Sequence, residues 1–588
     1  MSIFFKLSWF FKKYKKTYFI GILFLFIVNL LQLIPPKMLG IFTDKIIAKN
    51  LTWTWLLLFL AVLLLIYIGM YISRFIFQTH IVKGAALLEL NLRKKLFSHY
   101  MKMDANFYQK YRTGDLMALS SNDISSIQRV ASGGVLMVFD STTVIIMTLI
   151  AMFLSTDWRL VLAAVIPLPL IAVGVSYISP RLRKAFTNYQ DQFSKMSDHA
   201  QESFLGMKVI KTLGQEQEDI ASFEQEIQQQ IKNNKKTAHL DALFDPLATI
   251  VITVSYLMLI IVGGNLVLQK EITVGSLVTF TGYVGNLIWP MFALGQLFNL
   301  LERGNSSYDR VSEVLQEETS IKDDPNGISS IKAGDLDINI KSFSFSDDPN
   351  TAILSHIVAS LKKGQTLGLV GQVGSGKTSL LRLIMREFDN YNGVISYNGI
   401  DIKKYKLSKY LGVLGYVSQD NFLFSTTIKE NISFINPKLS LQKVQNAAKT
   451  AALHDDVLQM PNKYDTVVGE NGISLSGGQR QRLSIARAII SDPDILILDD
   501  ALSAVDAKTE KEILNGLKKN RQDKTTIISA SRISSVVNAD EILVFKNGKI
   551  IERGKHKDLI TKTGWYSKTF HQQELATQYE NKIEKGEK

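Results

Sequence analysis

The sequence predicts a two-part molecule: an all-α domain of six membrane-spanning helices with long cytoplasmic helical extensions, fused to an α/β domain built around a phosphate-binding loop. Three observations predict it. Apolar residues crowd the first half of the 588-residue chain and charged ones the second, although the averages, 46% hydrophobic and 21% charged, are ordinary. The first half holds six apolar runs, each near the roughly 20 residues that a bilayer-spanning helix requires. The second half alternates short β-rich runs with helices around a Gly-rich turn.

Composition removes several alternatives. There is no Cys, which excludes disulfides, thiolate metal sites and a cysteine nucleophile. The eight His form no close helical pair of the zinc-binding kind. Lys and Arg number 67 against 54 Asp and Glu, a net charge of +13. In a chain with mean hydropathy +0.09 that excess reads as basic cytoplasmic loops, and no nucleic-acid partner is expected.

Residues 1–17 read as an interfacial helix. Phe4, Phe5, Trp9 and Phe10 are expected to dip into the headgroup boundary, with Lys12, Lys13, Lys15 and Lys16 facing anionic lipid. No small-residue cleavage site follows, which argues against a signal peptide. The membrane domain then occupies 18–310, with apolar runs at about 18–40, 54–77, 133–155, 160–179, 244–268 and 274–300. Connections after the first, third and fifth runs are short; those after the second and fourth are long, charged and helically periodic. Their Lys/Arg bias places the N-terminus, both long arms and the second half in the cytoplasm. Pro35, Pro36, Pro167, Pro169, Pro246 and Pro290 fall in or beside spans, where they are expected to kink helices. Arg74, Asp140, Asn265 and Asn286 interrupt apolar runs. Asp140, in VLMVFDSTTVIIM, is the candidate for a cation-attracting cavity wall, against the plainer reading of a helix–helix hydrogen bond.

A linker is expected over 311–334, the nucleotide domain over 335–572 and a polar tail, frayed or disordered, over 573–588. In TLGLVGQVGSGKTSLL a strand, a Gly-rich turn and a helix follow in order. Gly371, Gln372, Val373, Gly374, Ser375 and Gly376 form the cradle whose N–H groups point at phosphate. Lys377 supplies charge at the β/γ oxygens, Thr378 is a Mg²⁺ ligand and Ser379 continues the helix. DILILDD ends an apolar strand in Asp499, where such enzymes hold magnesium. In LSGGQRQRLSIARAII, Leu475, Ser476, Gly477, Gly478 and Gln479 open a second helix whose N–H groups favour an anion. The chain's own phosphate site has no need of this second terminus, which suggests service to a nucleotide bound elsewhere.

Taken together these motifs resemble ATP-binding cassette (ABC) exporters, with membrane and nucleotide halves fused in one chain. The resemblance implies the type IV exporter fold, ATP and Mg²⁺ as cofactors, and a dimer clamping each ATP between one chain's phosphate loop and the other's signature. It assigns Gln419 to a Q-loop that reaches the metal, VVGENG to a cross-dimer loop and Asp506 to the end of a D-loop. It also implies two segments touching the nucleotide domains, near Tyr111–Leu116 and Leu205–Ile210. Three positions depart from the family pattern. Asp500 stands where a catalytic Glu is usual, Ser531 where a His is usual, and Asp347 where an aromatic stacks on adenine; Phe343 or Phe345 is the substitute expected for the last. Asp is one methylene shorter than Glu. A misplacement of about 1 Å costs on the order of 10²-fold, and loss of a general base about 10²–10⁴. A hydroxyl cannot reach or carry charge as an imidazole does. Neutral drift would explain either change alone; both changes point toward slow hydrolysis. The expectation is a heterodimer whose partner supplies Glu and His, exporting hydrophobic, often cationic compounds. A lipid or peptide exporter, or an ATP-gated channel or sensor, stays open.

Overall fold

The computed structural model describes residues 2–155, 157–167, 169–345, 351–469 and 475–584. The chain divides into two compact units, one of residues 1–101 and 113–317, the other of 102–112 and 318–588.

Among the described residues of the membrane unit, five helical stretches are long and apolar enough to span a bilayer: Lys15–Ile47, Trp53–Tyr100, Thr113–Ser155, Glu216–Leu268 and Val274–Gln316. The remaining apolar run, 160–179, is divided between helices Trp158–Val165 and Pro169–Leu213. Pro167 and Pro169 account for the division, because proline has no N–H to donate and disfavours helix in the residue before it. The arms are helical as expected. Trp53–Tyr100 alone is 48 residues, about 70 Å at 1.5 Å per residue, more than twice a hydrocarbon core. Pro35 and Pro36 open helix Ile34–Ile47, where missing N–H groups cost nothing. Pro290 lies inside helix Val274–Gln316.

One aromatic of the N-terminal segment, Phe10, departs from its expected place. Ile3, Leu7 and Phe10 are fully buried, a stripe at helical spacing that faces protein, and Lys6 bonds Asn305 at 2.8 Å. Phe10 therefore packs within the protein against Tyr14 and Tyr18, while Phe5 and Trp9 remain exposed. The exit helix also outruns its expected end at 310, reaching Gln316.

The nucleotide unit is built on two sheets. Its strands are β1 (Leu336–Phe343), β2 (Leu354–Leu361), β3 (Thr366–Gly371), β4 (Tyr391–Tyr397), β5 (Ile400–Asp401), β6 (Leu414–Val417), β7 (Ile495–Asp499), β8 (Thr525–Ser529), β9 (Glu541–Lys546) and β10 (Lys549–Gly554). An antiparallel sheet runs β2-β1-β4-β5, and a larger one runs β10-β9-β3-β8-β7-β6. In the second, β9, β3, β8, β7 and β6 are mutually parallel. Every residue of β7 and β8 is buried, hence apolar or hydroxyl side chains at every position except Asp499. Residues 573–584 of the expected tail continue helix Trp565–Glu584.

A short helix between the second and third spans, Ala105–Lys110, belongs to this unit. Asp104 fixes it. Its Oδ1 caps the helix by accepting from Phe107 N at 3.2 Å, and its Oδ2 accepts from Thr319 Oγ1 at 2.9 Å and Ser320 Oγ at 2.7 Å. Burial pushes the Asp104 carboxyl up, but the hydrogen bonds from Ser320 and Thr319 outweigh it and hold the group below the usual range. The segment expected at Tyr111–Leu116 thus straddles a boundary: Tyr111 belongs to the nucleotide unit, and Leu116 is buried in the membrane unit. Leu205–Ile210 lies inside helix Pro169–Leu213 with Leu205 and Val209 exposed.

Candidate nucleotide site

Parallel strands deliver their chemistry at their C-terminal edge, and the register shows which residues arrive there. Leu369 of β3 pairs Ser529 of β8, Asp499 of β7 pairs Ser529, and Val417 of β6 pairs Leu498. The phosphate loop, Gln419, Asp499, Asp500 and Ser531 therefore all follow strand ends on one edge.

The loop between β3 and helix Lys377–Ile384 depends on two glycines. Gly371 has φ 147° and a Cβ there would meet Phe545 O at 2.2 Å; Gly376 has φ 102° and caps the helix. Gln372, Val373 and Gly374 form the exposed tip, and Ser375 is buried with its Oγ unpartnered among the described residues. Lys377 Nζ donates to Gly371 O at 2.8 Å and Gln372 O at 3.1 Å. Burial lowers the Lys377 ammonium's pKa, and the nearby Asp500 and Asp499 charges oppose that shift. Ser379 is half-buried one residue beyond Thr378.

Thr378 Oγ1 donates to Asp499 Oδ1 at 3.2 Å. Asp499 is 1% exposed and its Oδ2 has no partner among the described residues. Burial pushes this carboxyl up and the Thr378 hydrogen bond pulls it back. A hydroxyl beside a buried, half-satisfied carboxylate is the oxygen donor set of a small hard cation. Mg²⁺ fits it.

Asp500 adopts φ 49° and donates its N–H to Ser529 O at 2.8 Å. Its Oδ1 accepts from Ser531 N at 3.2 Å and Ser531 Oγ at 3.0 Å. The two positions that depart from the family pattern thus touch each other. Ser531 is held in turn by the C-terminal helix: Gln573 Nε2 donates to Ser531 O at 3.1 Å, and Gln573 Oε1 accepts from Ile533 N at 2.9 Å.

The signature opens helix Gly477–Ile489 as a capping box, with Ser476 Oγ accepting from Gln479 N and Gln479 Oε1 from Ser476 N. Leu475 is buried ahead of it. Gln479 and Arg482 share Asp456 at 3.2 and 2.6 Å, which fixes the helix start. Gly477 and Gln419 line one open depression of about 520 Å³. Gln481, which motif reading passed over, is 4% exposed. It donates to Ser503 Oγ at 3.1 Å and accepts from Ala504 N at 2.9 Å, buckling the signature helix to the loop after Asp500. Asp506 closes that loop as an N-cap, accepting from Lys508 N and Thr509 N, and those bonds lower its carboxyl.

Other expected residues fall elsewhere. Asp347 and residues 470–472 of VVGENG lie outside the described residues. Phe343 is buried in the core and is no adenine platform; Phe345 packs on it edgewise at 5.1 Å, beside the Arg382 guanidinium. Asp140 lines a cavity of about 280 Å³ in the membrane unit, and Arg74 lines the same cavity.

Residues 18–291 match the ABC transporter transmembrane region and residues 354–503 the ABC transporter family. A probable multidrug resistance ABC transporter ATP-binding/permease protein of Bacillus subtilis, YheI, is 39% identical over 98% of both chains. The multidrug resistance-like ATP-binding protein MdlA of Escherichia coli is 37% identical over 100% of this chain and 99% of its own. The chain belongs to the ABC transporter family. A bacterial Atm1-family ABC exporter solved with ATP bound shares its fold, with TM-score 0.79 at 24% identity over 94% of this chain and 98% of that one. This ABC exporter chain is accordingly a multi-pass membrane protein with a cytoplasmic ATPase domain, and it couples ATP to export.

Proposed function

We propose that this chain is the degenerate-site subunit of a two-chain multidrug exporter, binding ATP well and hydrolysing it slowly. Its phosphate loop and Lys377 hold the triphosphate. Thr378, Asp499 and Gln419 would hold Mg²⁺, which screens the β/γ oxygens when bound. The signature, Leu475–Gln479, serves the partner's nucleotide, whose own chain supplies Glu and His. The names of the Bacillus subtilis and Escherichia coli relatives support drug efflux, and hydrophobic, often cationic compounds are the cargo class.

The observation that carries this reading is the Asp500–Ser531 pair. A catalytic carboxylate must point at the attacking water. Here one oxygen is held by two donors of Ser531, on a side chain already a methylene short. A serine in that position leaves the γ-phosphate without the imidazole's reach and charge. Displacement of the base by about 1 Å accounts for a deficit on the order of 10²-fold.

The test is Asp500→Glu with Ser531→His in the purified chain alone. ATPase turnover should rise at least about 10-fold with ATP affinity unchanged. Brisk, transport-coupled ATPase in the unsubstituted homodimer would overturn the proposal, as would a folded double variant that binds ATP and turns over no faster.

A further inference from the structure

The membrane unit encloses a polar cavity of about 280 Å³, walled by helices Lys15–Gln32, Trp53–Tyr100, Val135–Ser155 and Val274–Gln316. It sits among runs apolar enough to span a bilayer, yet Arg74, Asp140, Asn29, Gln32 and Asn286 all line it, with Trp289 along one side. Charges of opposite sign at that depth are costly and mark function or pairing. Among the described residues no direct ion pair joins Arg74 and Asp140, although both line the same space and the Arg74 charge reaches the Asp140 carboxyl through it. The carboxamides are also unfinished. Among the described residues Asn286 Nδ2 has no hydrogen-bond partner and Gln32 Nε2 reaches Asn286 Oδ1 only at 3.5 Å, while Asn29, 3% exposed, turns its side chain to Asp140. Buried donors left unmet are expensive and call for an acceptor from elsewhere.

The charge balance selects the occupant. A lipophilic cation drawn to Asp140 meets Arg74 in the same cavity, and the site's net charge of zero offers it no overall attraction. A neutral apolar guest leaves the half-buried Asp140 carboxylate and the Asn286 donor unanswered. A molecule with an ammonium and an oxyanion answers both walls at once, its anionic end also within the cavity that Asn286 Nδ2 lines as an unmet donor. We propose that this cavity is a cargo site for zwitterions whose ammonium lies near Asp140 and whose carboxylate or phosphate lies near Arg74, with an aromatic or apolar body along Trp289. This rests on the export reading above and departs from the cationic part of its cargo class at this cavity: Asp140 acts with Arg74 and not as a lone cation trap. A small zwitterionic aromatic and a phosphoethanolamine lipid headgroup share that chemistry.

The experiment uses the full-length chain in the assembly isolated from membranes, without ATP. Norfloxacin, a zwitterion, and its cationic ethyl ester are titrated by fluorescence anisotropy, with phosphatidylethanolamine and phosphatidylglycerol as competitors. Norfloxacin should bind at least 10-fold more tightly than the ester. Arg74→Gln, which leaves the site net negative, should reverse the order, and Asp140→Asn should weaken both probes. Displacement by phosphatidylethanolamine but not phosphatidylglycerol identifies the headgroup as a natural source; displacement by neither identifies the soluble zwitterion. The proposal is overturned if the unsubstituted protein binds the ester as tightly as norfloxacin, a result that needs no variant to fold. It is equally overturned if folded Arg74→Gln leaves the preference unchanged. ATP-driven uptake into vesicles is read separately, so that binding without flux counts against the export reading and not against the site.

Discussion

Gln573 gives direct mechanical access to the loop that carries Ser531. Its carboxamide bridges that loop from the C-terminal helix, donating to the Ser531 carbonyl and accepting from the Ile533 N–H. Gln573→Ala removes both bonds. Each neutral hydrogen bond is worth about 1 kcal/mol net, and a buried donor left unmet costs about 1–3 kcal/mol. Ile533 is fully buried, so its N–H carries most of the penalty. Gln573 itself is half-buried, and water can replace part of what is lost, which brings the sum to about 1–2 kcal/mol. That is a factor of about 5–30 in the population of the opened loop. Hydrogen exchange on the full-length protein reads this directly: the Ile533 amide should exchange about 5–30-fold faster, with β8 amides unchanged as the internal reference. Gln573→Glu keeps the acceptor and should restore most of the Ile533 protection. Unchanged exchange at Ile533 in a folded Gln573→Ala protein would refute the strut.

Three further outcomes follow from the same geometry. Asp499→Asn retains a partner for Thr378 but removes the charge a metal needs; Mg²⁺-dependent ATPase should fall by about 10²-fold or more, since the metal supplies several kcal/mol and each 1.36 is tenfold, while metal-free ATP binding measured by calorimetry persists. Asp104→Ala should destabilise the Ala105–Lys110 segment by about 1–2 kcal/mol after discounting for solvent. Because the folded Asp104 carboxyl is depressed from about 3.8, its stabilisation is present above that value and lost as pH falls through the folded pKa, an acid step in local hydrogen exchange that the variant should lack. On the cytoplasmic arm, His199 Nδ1 pairs Glu226 at 3.1 Å and Nε2 pairs Asp219 at 3.1 Å, and these bonds raise its pKa from 6.5. The arm's stabilisation is therefore complete below 6.5 and lost as pH rises through the higher folded value, so proteolysis within residues 199–226 should accelerate over that window and His199→Gln should flatten the response.

What could be read from the sequence was local. The phosphate loop, the signature helix and the Asp-ended strand are each short strings whose residues act on their own neighbours, and they lie on the elements expected of them. Long apolar runs announce spans for the same reason. The proline-divided run at 160–179 was harder, because hydropathy averages over Pro167 and Pro169 while the backbone does not. Phe10 was misplaced because an aromatic–basic alternation looks interfacial whether its apolar stripe meets lipid or, as here, protein. Gln481, Gln573 and Asp104 carry no local signal at all. Each works by reaching a partner that only the tertiary fold supplies: Gln481 to Ala504, Gln573 to Ser531, Asp104 to Ser320.

The Asp500–Ser531 contact shows how two separate sequence departures become one structural event. The positions are 31 residues apart, and nothing in either string mentions the other. The parallel register aligns Asp499 with Ser529, so the residues just past the two strand ends are delivered side by side, and Asp500 N bonds Ser529 O across the gap. In that geometry the Asp500 carboxylate finds the Ser531 hydroxyl within 3.0 Å. A side chain longer at the first position, or an imidazole at the second, would occupy the same space and break the contact. Either substitution alone thus changes the surroundings of the other. Drift at independent sites predicts that the two single reversions act additively, as distant sites do. A coupled pair predicts that they do not, and the hydrogen bond makes the coupled pair the reading this fold favours.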